Sequence, residues 1–202
     1  VTSLLEHKLN DSVTLRQNTR YYQTDLNDVV VFSNSLQADQ RTVDRAYFSS
    51  FGNLASLTLD NQLEYRFSLG AAKHTLLSGI DFQNVELDSI QAFGAAPSLD
   101  IYNPVYGSPV NIPAPFRNDS TEQQQLGFYL QDEIRYEQWI ATLAGRYDEA
   151  KNKVNDLLMN RQSRQDDSAT TGRASLMYQF VNGVSPYLSY TESFLPALGT
   201  DA

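Results

Sequence analysis

The sequence predicts an all-β chain: a segment of an antiparallel transmembrane β-barrel with about eight strands, short periplasmic turns and long extracellular loops. The strongest observation is the stretch 54–69, LASLTLDNQLEYRFSL, in which apolar and polar side chains alternate. A period of two over this length indicates a strand with one apolar and one charged face, longer than the roughly five or six residues of an ordinary strand. In a barrel wall the apolar face contacts lipid and the charged face lines the lumen.

The same alternation recurs in later parts of the chain. Outward-facing apolar positions are predicted at Ile80, Phe82, Phe128, Leu130, Ile134, Tyr136, Ala141, Leu143, Gly145, Tyr147, Ala174, Leu176, Tyr178 and Phe180. Two polar residues, Asn61 and Asp132, interrupt the apolar side of their strands. A charge at mid-membrane costs a few kcal/mol, so we expect Asp132 to lie low on the wall or to pair with a neighbouring strand.

The connections between strands are predicted to be of two alternating kinds, which is typical of a bacterial outer-membrane barrel. Short turns are expected at Asn10–Ser12, Gly70–Lys73, Glu137–Gln138 and Asn182–Gly183, the last as a type I′ hairpin. Long connections rich in Asn, Asp, Gln, Ser and Pro are expected over 26–47, 89–121 and 152–170. Aromatic residues near the short turns predict a girdle at one membrane interface: Tyr65, Phe67, Tyr136, Trp139 and Phe180.

Composition narrows the function classes. With 202 residues, 41% hydrophobic, 19% charged and a net charge of -9, the chain favours neither disorder nor binding of nucleic acid. It has no cysteine, and no apolar run approaches the roughly 20 residues of a membrane helix. The two histidines, His7 and His74, lack a partner at metal-ligand spacing, and no nucleophile elbow or phosphate loop occurs. We therefore expect no enzyme activity, no catalytic residue, no protein metal site and no cofactor.

Four segments resemble one known family. They are 126–148, with LGFYLQDEIR and LAGRYD; 186–196, PYLSYTESFLP; 74–82, HTLLSGIDF; and 101–107, IYNPVYG. In this order they are similar to the barrel of TonB-dependent outer-membrane siderophore receptors, particularly the ferrichrome, ferrioxamine and pyoverdine type.

The resemblance implies a barrel of about 22 strands around an N-terminal plug, and residues 1–202 would all belong to the barrel domain. Such a receptor binds ferric siderophore at the bacterial cell outer membrane and imports it with energy from TonB, which contacts the plug. Iron would arrive only as part of its chelate. The plug and the remaining strands would lie outside this chain, which is expected to be a piece of a longer protein with lipid as its outer contact.

Two groups of candidate site residues follow. Polar wall residues could hold the plug in the lumen: Arg16, Arg20, Glu64, Arg66, Glu133, Arg135, Arg146 and Arg173. Aromatic residues in the predicted loops could wall a ligand pocket: Tyr47, Phe48, Phe93, Tyr102, Tyr106 and Phe116.

Two other classes of protein stay open on the sequence alone. About eight strands can close into a small complete outer-membrane barrel, an adhesin or an enzyme. A secreted β-sandwich that binds a ligand would instead bury the apolar face of 57–69 against a second sheet. Its strands would be unusually long, and it would not explain the alternation of short and long connections.

Overall fold

A computed structural model describes residues 1–196. The sequence also predicts a loop over 195–202, and most of that segment lies outside the described residues. Within residues 1–196, eight strands form one antiparallel sheet in which each strand pairs only with its neighbours in sequence. They are β1 (Thr2–Lys8), β2 (Val13–Leu36), β3 (Thr42–Leu69), β4 (Ala72–Asp100), β5 (Pro115–Tyr136), β6 (Trp139–Asp156), β7 (Arg161–Tyr178) and β8 (Tyr187–Thr191). No helix that could cross a membrane is found among the residues described.

The register confirms the two predicted faces. Directly paired residues share a face, and the pairs Arg16 with Gln62, Gln62 with Gly79, and Gly79 with Tyr129 trace one face across β2 to β5. We call this the polar face; it also carries Glu64 and the even-numbered residues of β6. The opposite, apolar face presents large exposed side chains at the predicted positions, among them Leu63, Ile80, Phe128, Leu130, Leu143 and Leu176.

The short turns lie where the sequence predicts them. β3 and β4 are joined by two residues with Gly70 at φ 61°, and β5 and β6 are joined by Glu137 and Gln138. The prediction of a type I′ turn at Asn182–Gly183 is wrong, because only Gly183 has a positive φ, at 88°. The Gly183 N–H donates to the Phe180 carbonyl and the Phe180 N–H donates to the Val184 carbonyl. This is a longer hairpin loop with glycine in the left-handed position.

The boundaries predicted for the outer connections are also wrong. The non-strand connections span only 37–41, 101–114 and 157–160, because β2 to β7 continue as paired strands of 18 to 29 residues. A tilted strand needs about 10 residues to cross a bilayer, so much of each strand stands beyond the membrane. Beyond the membrane both faces of the sheet meet water. Backbone hydrogen bonding between the strands therefore continues there, although apolar and polar side chains no longer alternate.

Asn61 and Asp132, the two predicted interruptions of the apolar face, each contact a residue on a neighbouring strand. Asp132 Oδ2 lies 2.7 Å from Nδ1 of His74, close to the short turns. The Gln17 amide donates to Asn61 Oδ1 at 2.8 Å. The expectation was that Asp132 lies low on the wall or pairs with a neighbouring strand, and its contact with His74 on β4 confirms the pairing. This pairing lowers the cost of a carboxyl on the apolar face.

Aromatic rings cluster beside the short turns on the apolar face. Tyr65 stacks on Phe67 at 5.1 Å between ring centroids, and Phe67 stacks on His74 at 4.7 Å. At the other end of the sheet the Tyr178 ring lies 4.7 Å from Trp139 and 4.6 Å from Phe180, in edge-on geometry. This clustering of rings at one level of the wall is the arrangement that the predicted girdle requires, and its place at a membrane interface stays a prediction.

Candidate functional site

The centre of the polar face is an ion-pair network around Arg146. Its guanidinium donates to both oxygens of Asp81, at 2.5 and 2.9 Å, and to both oxygens of Asp148, at 2.6 to 2.9 Å. Asp148 is only 2% exposed and also accepts a hydrogen bond from the Gln125 amide at 3.1 Å. Bidentate pairing of this kind fixes the geometry of three adjacent strands, β4 to β6.

Two glycines make room for this network. A Cβ at Gly79 would run into the ring of Tyr129, and one at Gly127 would run into the Arg146 guanidinium. The Tyr129 hydroxyl donates to Asp60 at 2.8 Å, and Arg146 lies 5.8 Å from the centre of the same ring. In the sequence Gly79 stands isolated from other glycines and belongs to no glycine-rich motif. A lone glycine inside a strand nevertheless often marks a close approach, so a signal for this contact was present.

Nearer the short turns, the polar face carries a second ion-pair cluster. Arg16 contacts Glu6 at 2.8 Å and Glu64 at 2.7 Å, and Arg66 contacts Glu64 at 2.5 Å. These contacts join β1, β2 and β3 across the polar face.

All eight predicted plug-facing residues lie on the polar face, as the pairing register shows. Arg135 is paired with Glu133 at 2.7 Å on its own strand. Within residues 1–196, Arg20 and Arg173 take part in no salt bridge. Arg173 borders a hollow of about 320 Å³ beside Arg146 and Tyr129. Contact of any of these residues with a plug stays a prediction.

A larger cavity, of about 470 Å³, lies at the outer ends of β4 to β7. Strand residues of the polar face line it: Val85, Leu87, Thr121, Gln123, Asn152, Val154, Ser163 and Gln165. Phe116, Leu158 and Met159 also line it. Sequence reasoning missed most of these residues because their strands were assigned to loops. Apolar and polar side chains together line the cavity, as they do in binding sites for small molecules.

The six predicted ligand-binding aromatics are not gathered into one pocket. Phe48 and Phe93 are direct cross-strand partners, and Phe93 lies 6.5 Å from Phe32. Phe116 borders the outer cavity. Tyr106 is 73% exposed in the β4–β5 connection.

The other two predicted ligand-binding aromatics have structural neighbours. Tyr47 points to the opposite face from Phe48 and is buried with Ala92 and Ala96, against which Val110 packs. Tyr102 is 75% exposed, with the Arg41 guanidinium 6.0 Å from the centre of its ring. Ligand contact by any of the six stays a prediction.

The outer end of β3 and β4 is fastened by a surface ion pair. The Arg41 guanidinium donates to Asp100 at 2.6 Å, and the Ile101 N–H donates to the Arg41 carbonyl at 3.0 Å. The hydrogen bond from Arg41 lowers the pKa of the Asp100 carboxyl below its usual value. The pair therefore holds the base of the β4–β5 connection at neutral pH.

The fold and the polar wall define the class of the protein. Residues 2–202 match the family described as TonB dependent receptor-like, beta-barrel. The chain belongs to this family and is a segment of a bacterial outer-membrane β-barrel. A closed wall of about 22 strands is consistent with the family.

Among similar proteins is the ferrioxamine B receptor of Salmonella typhimurium (strain LT2), which is 34% identical over 197 residues. That match covers 98% of this chain and 28% of the relative. The ferrichrome outer membrane transporter/phage receptor of Escherichia coli (strain K12) is 31% identical over 218 residues, covering 95% of this chain and 29% of the relative. The chain thus spans less than a third of the curated relatives it matches.

Solved structures share the fold. The P. aeruginosa receptor FpvA, bound to a heterologous pyoverdine, superposes with a TM-score of 0.78 at 17% identity, covering 95% of this chain and 26% of that one. The ferric preacinetobactin receptor of Acinetobacter baumannii gives a TM-score of 0.74 at 17% identity, covering 92% and 28%.

Proposed function

We propose that the protein containing this chain binds a ferric siderophore at the outer membrane and imports it with energy supplied through TonB. The observation that carries the proposal is the outer cavity of about 470 Å³ on the polar face. It occurs in a chain 34% identical to a protein named as a ferrioxamine B receptor. A ferric trihydroxamate of this type is the cargo that we test first.

The chain acts as one part of a closed wall. β1 and β8 are the ends of the described sheet, so each has an edge with unpaired backbone groups. Unpaired backbone groups are costly in lipid, and the neighbouring strands of the full receptor satisfy them. The apolar face contacts lipid, and the polar face contacts water and the plug.

The proposed role is transport without chemical conversion of the cargo. Iron enters as part of the chelate, so neither a protein ligand for iron nor a resident cofactor is required. The ion pairs around Arg146 and Glu64 stabilise the wall, and the outer cavity contributes to recognition.

The test uses the full-length receptor in a bacterial strain that lacks its own ferric-hydroxamate receptors. Cells are given ferrioxamine B loaded with radioactive iron, and surface binding in the cold is measured separately from accumulation at growth temperature. We expect saturable surface binding in receptor-bearing cells both with and without functional TonB. Radioactive iron should accumulate only in the cells with functional TonB. Receptor that reaches the outer membrane but gives neither binding nor accumulation with ferric hydroxamates would overturn the proposal.

A further inference from the structure

We propose that the β7–β8 connection, residues 179–186, enters the periplasmic leaflet of the outer membrane and docks on its phospholipids. This inference adds a membrane-docking element to the wall. It rests on one part of the proposed function, the contact of the apolar face with lipid, and it concerns neither the cargo nor the outer cavity.

The connection lies in a part of the chain without charged side chains. Residues 174–191 contain no Asp, Glu, Lys or Arg. The other short connections, 9–12, 70–71 and 137–138, each contain a charged residue or have one within two positions. Transfer of a charged side chain into lipid is costly. Among the four short connections within residues 1–196, the β7–β8 connection is therefore the one that can enter lipid without this cost.

The tip of the connection presents apolar side chains to its surroundings. Val181 is fully exposed, Val184 is more than half exposed, and the Phe180 ring is about half exposed. Single exposed apolar residues are common on protein surfaces, but these three lie close together with no charge beside them. Contact with acyl chains would remove this apolar surface from water, which is favourable.

The connection also satisfies backbone groups of its own, which a segment entering lipid requires. The Phe180 N–H donates to the Val184 carbonyl at 2.9 Å, and the Gly183 N–H donates to the Phe180 carbonyl at 3.0 Å. The Val184 N–H donates to Oδ1 of Asn182 at 3.2 Å. These three N–H groups therefore keep a partner when lipid replaces water around the tip.

A hollow on the apolar face joins the connection to the lipid-facing wall. It has a volume of about 760 Å³, and its lining includes Trp139, Leu176, Tyr178, Phe180, Pro186 and Leu188. Phe180 belongs both to the connection and to this hollow, so one apolar surface extends from the wall to the tip. Phospholipids that cover the wall are therefore the partner best placed to cover the tip as well.

The test measures the depth of single fluorescent labels in the full-length receptor. Val181→Cys and Val184→Cys are each labelled with bimane, after any cysteines outside residues 1–202 have been replaced by serine. The receptor is placed in lipid nanodiscs, in which both membrane surfaces are open to solvent. Quenching by phospholipids with brominated acyl chains is compared with quenching by aqueous iodide.

Two further single-cysteine variants serve as matched controls. Ala71→Cys, in the β3–β4 turn, represents a short turn that lies in water. Leu143→Cys, on the apolar face of β6, represents a position in contact with lipid.

We expect the labels at positions 181 and 184 to lose most of their fluorescence with the brominated lipid, as the label at position 143 does, and to lose little with iodide. The label at position 71 should show the reverse. If iodide quenches the labels at 181 and 184 as strongly as the label at 71, the tip lies in water and this inference is overturned. Protection of both labels from both quenchers, as contact with another protein would give, also overturns it.

Both of these results leave the proposed function standing. A label at position 143 that the brominated lipid does not quench would instead overturn the lipid contact of the apolar face, which is part of the proposed function.

Discussion

The substitution Gly79→Ala tests whether the polar face depends on a glycine beneath an aromatic ring. A methyl group at position 79 would overlap the ring of Tyr129. Tyrosine has only two side-chain torsions, and this ring is fixed by its hydrogen bond to Asp60 at 2.8 Å and by Arg146 over its face. We therefore expect the ring to leave its position and the bond to Asp60 to break.

The expected loss of stability in Gly79→Ala follows from the contacts that are lost. A hydrogen bond to a charged group contributes about 1.5–3 kcal/mol, and the half-buried setting of Tyr129 favours the lower end. Replacing a strand glycine by alanine also stabilises the folded state by up to about 1 kcal/mol where space allows. A methyl group added at Gly145 of β6 would meet no heavy atom within 4 Å, so Gly145→Ala isolates this second effect. We expect Gly79→Ala to be about 2 kcal/mol less stable than Gly145→Ala.

The assay is urea unfolding of the full-length receptor in lipid vesicles, with the folded fraction read from its heat-modifiable mobility on gels. A third variant, Tyr129→Ala, removes the ring, and in that background Gly79→Ala should cost almost nothing. Equal unfolding midpoints for Gly79→Ala and Gly145→Ala would refute the reasoning. If Gly79→Ala destabilises the Tyr129→Ala variant as much as it destabilises wild type, the ring of Tyr129 is not the cause of the destabilisation.

Two further predictions concern charges on the wall. Arg146→Met leaves the buried Asp148 carboxylate without its cation and should destabilise the receptor by about 3 kcal/mol in the same urea assay, with much of the loss recovered by adding Asp148→Asn. A result in which the double variant is no more stable than the single would contradict this. At the outer tip, Arg41 lowers the pKa of Asp100, so the contribution of this pair is complete above the ordinary carboxyl pKa of about 4 and is lost as the pH falls through the lowered value. In wild type, the protection of the Ile101 amide from hydrogen exchange should fall in that acidic range. In Arg41→Ala it should be low at every pH. Identical pH profiles for the two proteins would exclude the ion pair as the cause of the protection.

Much of the wall at membrane level could be predicted from the sequence. Lipid on one side and water on the other force side chains to alternate, so residues such as Leu63 and Glu64 reveal their faces directly. The polar exception Asp132 was also predictable, because a carboxyl on the lipid side needs a partner, and His74 provides it.

The outer parts of the strands could not be predicted in the same way. In 26–36 and 152–156 both faces meet water, so the backbone ladder persists while the side-chain pattern that reports it is absent. The outer cavity was missed for the same reason, since Asn152 was assigned to a loop. Finding Asn152 requires the register, because its neighbours Gln123 and Gln165 are distant in sequence.

The simple strand order has a consequence for how walls of this kind change size. In the part of the chain that the structure describes, each strand pairs only with the strands before and after it, and no connection crosses over another strand. Removing one hairpin therefore takes away its internal pairing, replaces the two pairings at its sides by one new pairing, and leaves the register of every other pair of strands intact. The circumference of such a wall can grow or shrink in steps of two strands, so insertions and deletions of whole hairpins are structurally mild changes.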